Sequence, residues 1–286
     1  MWRGPEKTER TCLPGFNDDF TVYSLSPFAG SVMPKIQAAG GQAARVGVDW
    51  ARVQPDGPES WDFSSIEPVR IQAMLAGVQI LPTVFGCPEW ADPQVTASPR
   101  GRRRELPEAH FRTCSPRFDP DFGRFADRVL RHFDSPSRND GRPRLIPGIE
   151  VLNEPNSWTF GDVPAERLFQ LTYATAKAVE ASARAGAFSA PMRVVSGGLA
   201  PLSALGPGES SFPARPAWQE YLRNLDNPGG VFDIGFHSYE TSKPPAGTLT
   251  VPEQNPEDPF GRAGQFAAWQ AEQIIDRIDE ALEITS

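Results

Sequence analysis

An amide and a carboxylate stand side by side in Asn153-Glu154-Pro155, at the end of a predicted buried strand. The preceding residues, 145–152, form a short, mainly apolar run bounded by turn residues, which is typical of a strand in a parallel sheet. Pro155 has no N–H for a strand ladder and disfavours helix at the residue before it, so the strand should end there. A carboxyl group in this place can give or take a proton during a reaction. Alternatively, the tripeptide is an ordinary strand exit whose Glu caps the next turn.

Strand-like and helix-like segments alternate along the 286 residues, as in a parallel sheet whose strands are joined by helices. Six strands are predicted, at about 16–19, 44–50, 78–85, 145–152, 192–195 and 232–237. Helices are predicted at about 32–39, 64–76 and 122–133, from Pro164 onward, and at about 264–283. The chain length is close to the roughly 250 residues of a (β/α)8 barrel, whose active site lies at the carboxyl ends of its strands.

The alternating pattern therefore predicts an α/β fold, a (β/α)8 TIM barrel that is incomplete, with about six βα units. Residues 1–15 would be an N-terminal extension. Residues 16–286 would be the barrel domain, lacking its last two βα units.

The charge balance excludes several classes of partner. With 28 basic and 36 acidic side chains, the net charge is −8, which argues against a general affinity for nucleic acid or an anionic membrane. No apolar stretch approaches the roughly 20 residues of a membrane-spanning helix. The three histidines lie far apart in sequence, so no metal-ligand cluster is predicted. No motif implies a cofactor. The first residues have no apolar signal-peptide core, and as written the sequence predicts a cytoplasmic protein.

The three cysteines, Cys12, Cys87 and Cys114, do not make a complete disulfide framework because their number is odd. Cys87 and Cys114 flank one long loop, most of which is a polar insertion at about 92–116, and they could pair if the protein were exported. Free thiols are the favoured expectation. The insertion is too long for an ordinary connection, so it is either a lid or a disordered excursion.

Four short motifs together resemble the glycoside hydrolases of clan A, particularly families five and thirty-nine. They are Arg45 with Asp49-Trp50 on the second strand, Pro88-Glu89-Trp90 after the third, Asn153-Glu154-Pro155-Asn156 on the fourth, and His237-Ser238-Tyr239 on the sixth. The resemblance runs from about residue 16 to the end of the chain. Leu152 departs from it, because many members of these families have tryptophan there.

The resemblance implies a retaining O-glycoside hydrolase that acts on a poly- or oligosaccharide. Glu154 would be the general acid/base, and Asn153 would hydrogen-bond the 2-hydroxyl of the sugar. Arg45 would hold the nucleophilic carboxylate in its ionised form through a charge-assisted hydrogen bond. The alternative for Arg45 is a salt bridge across the core. The families that the chain resembles are often secreted, and a complete protein would be a monomer.

Further residues would line the sugar-binding cleft. Trp90 and Trp158 would offer flat faces for stacking on sugars, or else would anchor their loops against neighbouring side chains. His237 and Tyr239 would both face the cleft, with a structural histidine as the alternative. Asn17 would line the pocket at the end of the first strand, although it could instead cap a turn.

Retention requires a second carboxylate about 5–5.5 Å from the acid. In the resembled families it comes from the end of strand seven, and no such strand is found in this sequence. Glu240 is a poor substitute because it lies beyond the sixth strand. We therefore expect the nucleophile to be missing from this chain and the chain to be a piece of a longer hydrolase. The alternative is a catalytically inactive barrel that binds carbohydrate.

Overall fold

The computed structural model describes residues 15–18, 32–38, 40–92, 113–134, 146–156, 163–199, 218–224, 227 and 230–235. Within these residues, five strands form a single sheet: β1 (Gly15–Asp18), β2 (Ala43–Asp49), β3 (Gln79–Phe85), β4 (Gly148–Val151) and β5 (Arg193–Ser196). Their order in the sheet is their order in the chain, and every neighbouring pair is parallel. A sheet that always advances in one direction is the beginning of a barrel, because a doubly wound sheet would reverse its strand order.

Helices occupy the connections between the strands. They are α1 (Val32–Ala38), α2 (Trp50–Val53), α3 (Glu67–Ala76), α4 (Asp119–Phe133), α5 (Ala165–Arg184) and α6 (Trp218–Arg223). The predicted helices agree with α1, α3, α4 and α5 to within about three residues, whereas the one predicted at 264–283 lies outside the described residues. The predicted apolar stripe of α4 is confirmed, since Phe122, Phe125 and Val129 are buried.

The sixth predicted strand is described only over residues 232–235, which make one isolated parallel bridge to β5. Asp233 forms a parallel bridge with Val195, its N–H donates to the Val194 carbonyl over 2.8 Å, and its carbonyl accepts from Ser196 N over 2.8 Å. The outer side of β5 is therefore paired at this one position, on the side where a further barrel strand would lie. The described part of this segment ends at Gly235.

The two faces of the sheet differ in chemistry. On β2, Ala44, Val46 and Val48 are fully buried in the hydrophobic core. Arg45 lies on the opposite face of β2. The strand register pairs Arg45 with Leu81 on β3, and Thr83, two residues further along β3, therefore lies on the same face as Arg45. Thr83 in turn pairs with Glu150 on β4. One face thus packs into the apolar core, and the other holds polar side chains inside the barrel.

Cys87 and Cys114 form a disulfide bond, with a Cα–Cα distance of 5.2 Å, so the expectation of free thiols is wrong. Both residues are buried, one just after β3 and the other before the turn that leads into α4. The error arose because sequence shows only that the cysteines flank an insertion. Whether the two cysteines come close enough to pair depends on how α4 packs against the sheet.

We expect the double variant Cys87→Ser/Cys114→Ser to lose about 3–4 kcal/mol of unfolding free energy, because the bond closes a loop with a sequence separation of 27. Urea unfolding of both proteins measures this loss. Dithiothreitol should lower the wild-type stability to that of the variant and leave the variant unchanged. Equal stability of oxidised wild type and variant would contradict the prediction.

No helix within the described ranges is both long enough and apolar enough to cross a lipid bilayer.

Candidate active site at the carboxyl end of the fourth strand

The chain leaves β4 through two residues in the left-handed region. Leu152 has φ of 70° and Glu154 has φ of 41°, and neither is glycine. Such conformations cost of order 1 kcal/mol or more each and are held only where surrounding structure fixes them. The Leu152 N–H donates to the Val84 carbonyl over 2.8 Å, and the Glu154 N–H donates to the Gly198 carbonyl over 3.1 Å. The strand therefore ends at Val151, four residues before Pro155, and the Glu154 backbone is tied to the end of β5.

Glycine at the end of β5 allows this close approach. A Cβ atom added to Gly197 would lie 2.7 Å from the Val151 carbonyl oxygen and 2.8 Å from that of Leu152. These distances are shorter than real Cβ contacts, and the clashing atoms are backbone. The ends of β4 and β5 can thus lie against each other only because residue 197 has no side chain.

We expect Gly197→Ala to lower the unfolding free energy by about 1–3 kcal/mol, because the added methyl group must push away the backbone of 151–152. Gly197→Val should destabilise the protein more than Gly197→Ala does. Thermal unfolding of the three proteins measures the series. Wild-type stability in Gly197→Ala would show that this contact is looser than the structure indicates.

Glu150 is a charged residue in the middle of β4, and it is only 4% exposed. Its Oε2 accepts from Arg45 Nε over 2.5 Å and from Thr83 Oγ1 over 2.9 Å. Its Oε1 accepts from the Gly198 N–H over 2.9 Å. A buried carboxylate is tolerated because charge-assisted hydrogen bonds of this kind replace its hydration. Sequence analysis did not select Glu150, although one charged residue inside a buried apolar strand was a usable signal.

Arg45 connects this buried carboxylate to the predicted catalytic motif. Its Nη2 donates to Asn153 Oδ1 over 2.7 Å, while its Nε donates to Glu150. Asn153 is 9% exposed, and the Arg45 side chain is 15% exposed. The salt bridge across the core, offered as the alternative for Arg45, is therefore present. The predicted contact of Arg45 with a nucleophile stays a prediction.

Glu154 lies next to Asn153 and is half-buried. The neighbouring Pro155 and Asn156 are buried, so the loop that carries the carboxylate is packed on both sides of it. Glu154 as a residue therefore keeps some exposure to solvent, on a loop whose backbone is held by hydrogen bonds. A proton donor requires this combination of access and fixed position.

Trp90 contacts the protein in the way expected of a loop anchor. Its Nε1–H donates to the Gln54 carbonyl over 2.7 Å, and its ring meets the Trp50 ring edge-on with centroids 5.8 Å apart. Trp50 is fully buried, and its Nε1–H donates to Gln54 Oε1 over 2.6 Å. Trp90 remains half-buried, and its predicted stacking on sugar stays a prediction.

The other predicted site residues are placed only in part. Asn17 lies on β1 opposite Arg45 in the strand register, so its backbone is beside the site. Trp158, His237, Tyr239 and Glu240 lie outside the described residues. Within the described ranges, no three His, Cys, Asp or Glu side chains come together as they would to hold a metal ion.

No family model matches this sequence, and no curated protein matches it either. Among solved structures, the chain is similar to a monomeric β-xylosidase from Caulobacter crescentus, with a TM-score of 0.54 and 17% identity over 79% of this chain and 41% of that one. A family 39 glycoside hydrolase from Bacteroides cellulosilyticus gives 0.41, with 14% identity over 59% and 30% of the two chains. An endoglucanase from Thermotoga maritima gives 0.41, with 13% identity over 64% and 50%.

The similarity to the β-xylosidase establishes the fold. The chain has a TIM-barrel fold, incomplete over the described residues. The fold that the resemblance implied is thus confirmed. The chain spans 41% of the length of that β-xylosidase and 30% and 50% of the other two proteins.

Proposed function

We propose that this protein is a retaining O-glycoside hydrolase acting on a poly- or oligosaccharide, with Glu154 as its general acid/base. The observation that carries the proposal is the placement of Glu154. Glu154 is half-buried, its backbone is left-handed just beyond β4, and it follows an asparagine that Arg45 holds. The carboxyl ends of the strands are where TIM-barrel enzymes carry their chemistry.

In the proposed first step, protonated Glu154 gives its proton to the glycosidic oxygen as the bond between that oxygen and the anomeric carbon breaks. A second carboxylate attacks the anomeric carbon and forms a glycosyl ester. In the second step, the Glu154 carboxylate takes a proton from water while the water oxygen attacks the anomeric carbon. The ester bond then breaks, and the second carboxylate is released unchanged.

The second carboxylate is proposed to come from a strand beyond the sixth, about 5–5.5 Å from Glu154. Residues 16–286 would then belong to the catalytic domain. Asn153 would bind the sugar 2-hydroxyl, while Trp90 and Trp158 would border the cleft. His237, Tyr239 and Asn17 are proposed to complete it.

The protein of similar fold is a β-xylosidase by name, so β-xylosides are the first substrates to test. The protein should be expressed from its complete reading frame and assayed with 4-nitrophenyl β-xyloside, β-glucoside and β-mannoside. Proton NMR of the first sugar released should show the β-anomer, because two displacements restore the configuration. Release of the α-anomer would overturn retention. Binding of oligosaccharides without any turnover would favour the carbohydrate-binding alternative.

We also infer that the protein works in an oxidising compartment rather than in the cytoplasm. The support is the Cys87–Cys114 disulfide, since such bonds persist outside the reducing cytoplasm. Trapping free thiols with iodoacetamide in the native cells, before any reduction, tests this. Unmodified Cys87 and Cys114 are expected, and modification of both would overturn the inference.

A further inference from the structure

We propose that Glu150 is a positioning residue that fixes which end of the Asn153 amide faces the substrate. It would do so through Arg45, so that the amide N–H of Asn153 faces the sugar 2-hydroxyl that the proposed function assigns to this residue. This inference rests on the proposed function, because it specifies how the same site recognises its sugar.

The contacts of Arg45 establish the direction of the Asn153 amide. The guanidinium group is planar and presents its N–H groups at fixed angles. With Nε held on Glu150 at 2.5 Å, Nη2 must point along one direction, and it meets Asn153 at 2.7 Å. Arginine has donors and no acceptor, so the atom that it contacts must be the amide oxygen. The NH2 group of Asn153 is then left as the group to offer to a ligand.

Glu150 can impose this direction because it is itself fixed from several sides. Thr83 on β3 donates to its Oε2, and the Gly198 N–H after β5 donates to its Oε1. The carboxylate is buried at 4% exposure, so water does not compete for these bonds. Strand β2, which carries Arg45, is thereby connected to the ends of β3 and β5 through one side chain on β4.

An asparagine that offers only its N–H groups binds a ligand group that can accept a hydrogen bond. A neutral 2-hydroxyl oxygen can accept this hydrogen bond, whereas a 2-deoxy sugar has no acceptor and a 2-ammonium sugar has only donors. Hydrogen bonds to the 2-hydroxyl strengthen in the transition state of glycoside hydrolysis. The effect of Glu150 should therefore appear in kcat/KM for substrates that carry the hydroxyl.

The test compares wild type with Glu150→Gln on the 4-nitrophenyl β-glycoside that the wild type hydrolyses fastest and on its 2-deoxy analogue. The amide that replaces the carboxylate would place an N–H opposite the Gly198 N–H or weaken the bond to Arg45, so the guanidinium would lose its fixed position. The measured quantity is kcat/KM for the 2-hydroxy substrate divided by kcat/KM for its 2-deoxy analogue. This ratio should fall by about tenfold or more in Glu150→Gln, the effect of one hydrogen bond. The difference in intrinsic reactivity of the two sugars cancels between the proteins.

Gly123→Ala serves as the matched control, because a Cβ there would lie 2.9 Å from the Ala174 carbonyl in the contact between α4 and α5. It should lower the melting temperature and leave the ratio at its wild-type value. If Glu150→Gln fails to fold, Arg45→Lys replaces it, since a lysine cannot bond Glu150 and Asn153 with the same fixed geometry.

Three results are informative. A fall in the ratio confined to the Glu150 or Arg45 variants supports the positioning role. A wild-type ratio in Glu150→Gln, with lowered stability alone, overturns that role and leaves the proposed function intact. No turnover of any glycoside by the wild type overturns both.

Discussion

Replacing Glu154 with glutamine should lower kcat/KM on glycosides with poor leaving groups by about 10²–10⁴-fold, the contribution of a well-placed general acid. Glutamine has nearly the same size and cannot donate the proton that an alkoxide leaving group needs. A 2,4-dinitrophenyl glycoside, whose leaving group is weakly basic, needs no such proton. Formation of the glycosyl ester from this substrate should be affected far less. The rate difference between the 2,4-dinitrophenyl glycoside and glycosides with poor leaving groups should therefore widen in Glu154→Gln.

Two further measurements separate this role from a general loss of structure. Azide needs no base to attack the glycosyl ester, so added azide should restore turnover in Glu154→Gln and yield a β-glycosyl azide. Glu166→Gln is the matched control, since it removes an exposed carboxylate at the start of α5 and should leave all rates unchanged. Equal loss on both leaving groups, without azide rescue, would show that Glu154 is not the acid/base.

Arg45→Met should lower the unfolding free energy by about 3–5 kcal/mol, the usual cost of removing one partner of a buried ion pair. Methionine fills most of the volume of the arginine stem. The lost unfolding free energy therefore reflects the removed charge more than altered packing. The Glu150 carboxylate would remain buried with Thr83 and the Gly198 N–H as donors, and without the cation at 2.5 Å. Urea unfolding at neutral pH measures the difference.

The double variant Arg45→Met/Glu150→Leu identifies the cause of this loss. Replacing a whole buried pair by apolar residues is often nearly neutral, whereas stranding one charge is costly. The double variant should therefore be more stable than Arg45→Met alone. If the effects of Arg45→Met and Glu150→Leu simply added, the two side chains would be energetically independent, and their contact would not be the reason for the loss.

The sequence by itself determined the features that depend on neighbours along the chain. Alternating apolar strands and helices predicted a parallel barrel, and the observed strands and helices that are described follow that prediction closely. The apolar run before Asn153-Glu154-Pro155 identified β4, and the motif marked its end as the candidate active site. These signals are local, because strand period, helix stripe and proline geometry are set within a few residues.

Only the tertiary structure decided the contacts between distant residues. Arg45 and Glu150 are 105 positions apart, and the disulfide joins Cys87 to Cys114 across an insertion. The left-handed Leu152 and Glu154 are held by Val84 on β3 and by Gly198 just beyond β5. No property of one segment encodes such pairs, since each depends on strand register and on how the helices pack. For that reason Glu150 stood out in the sequence only as a charge in an apolar strand, and its contacts with Arg45, Thr83 and Gly198 became apparent only in the folded sheet.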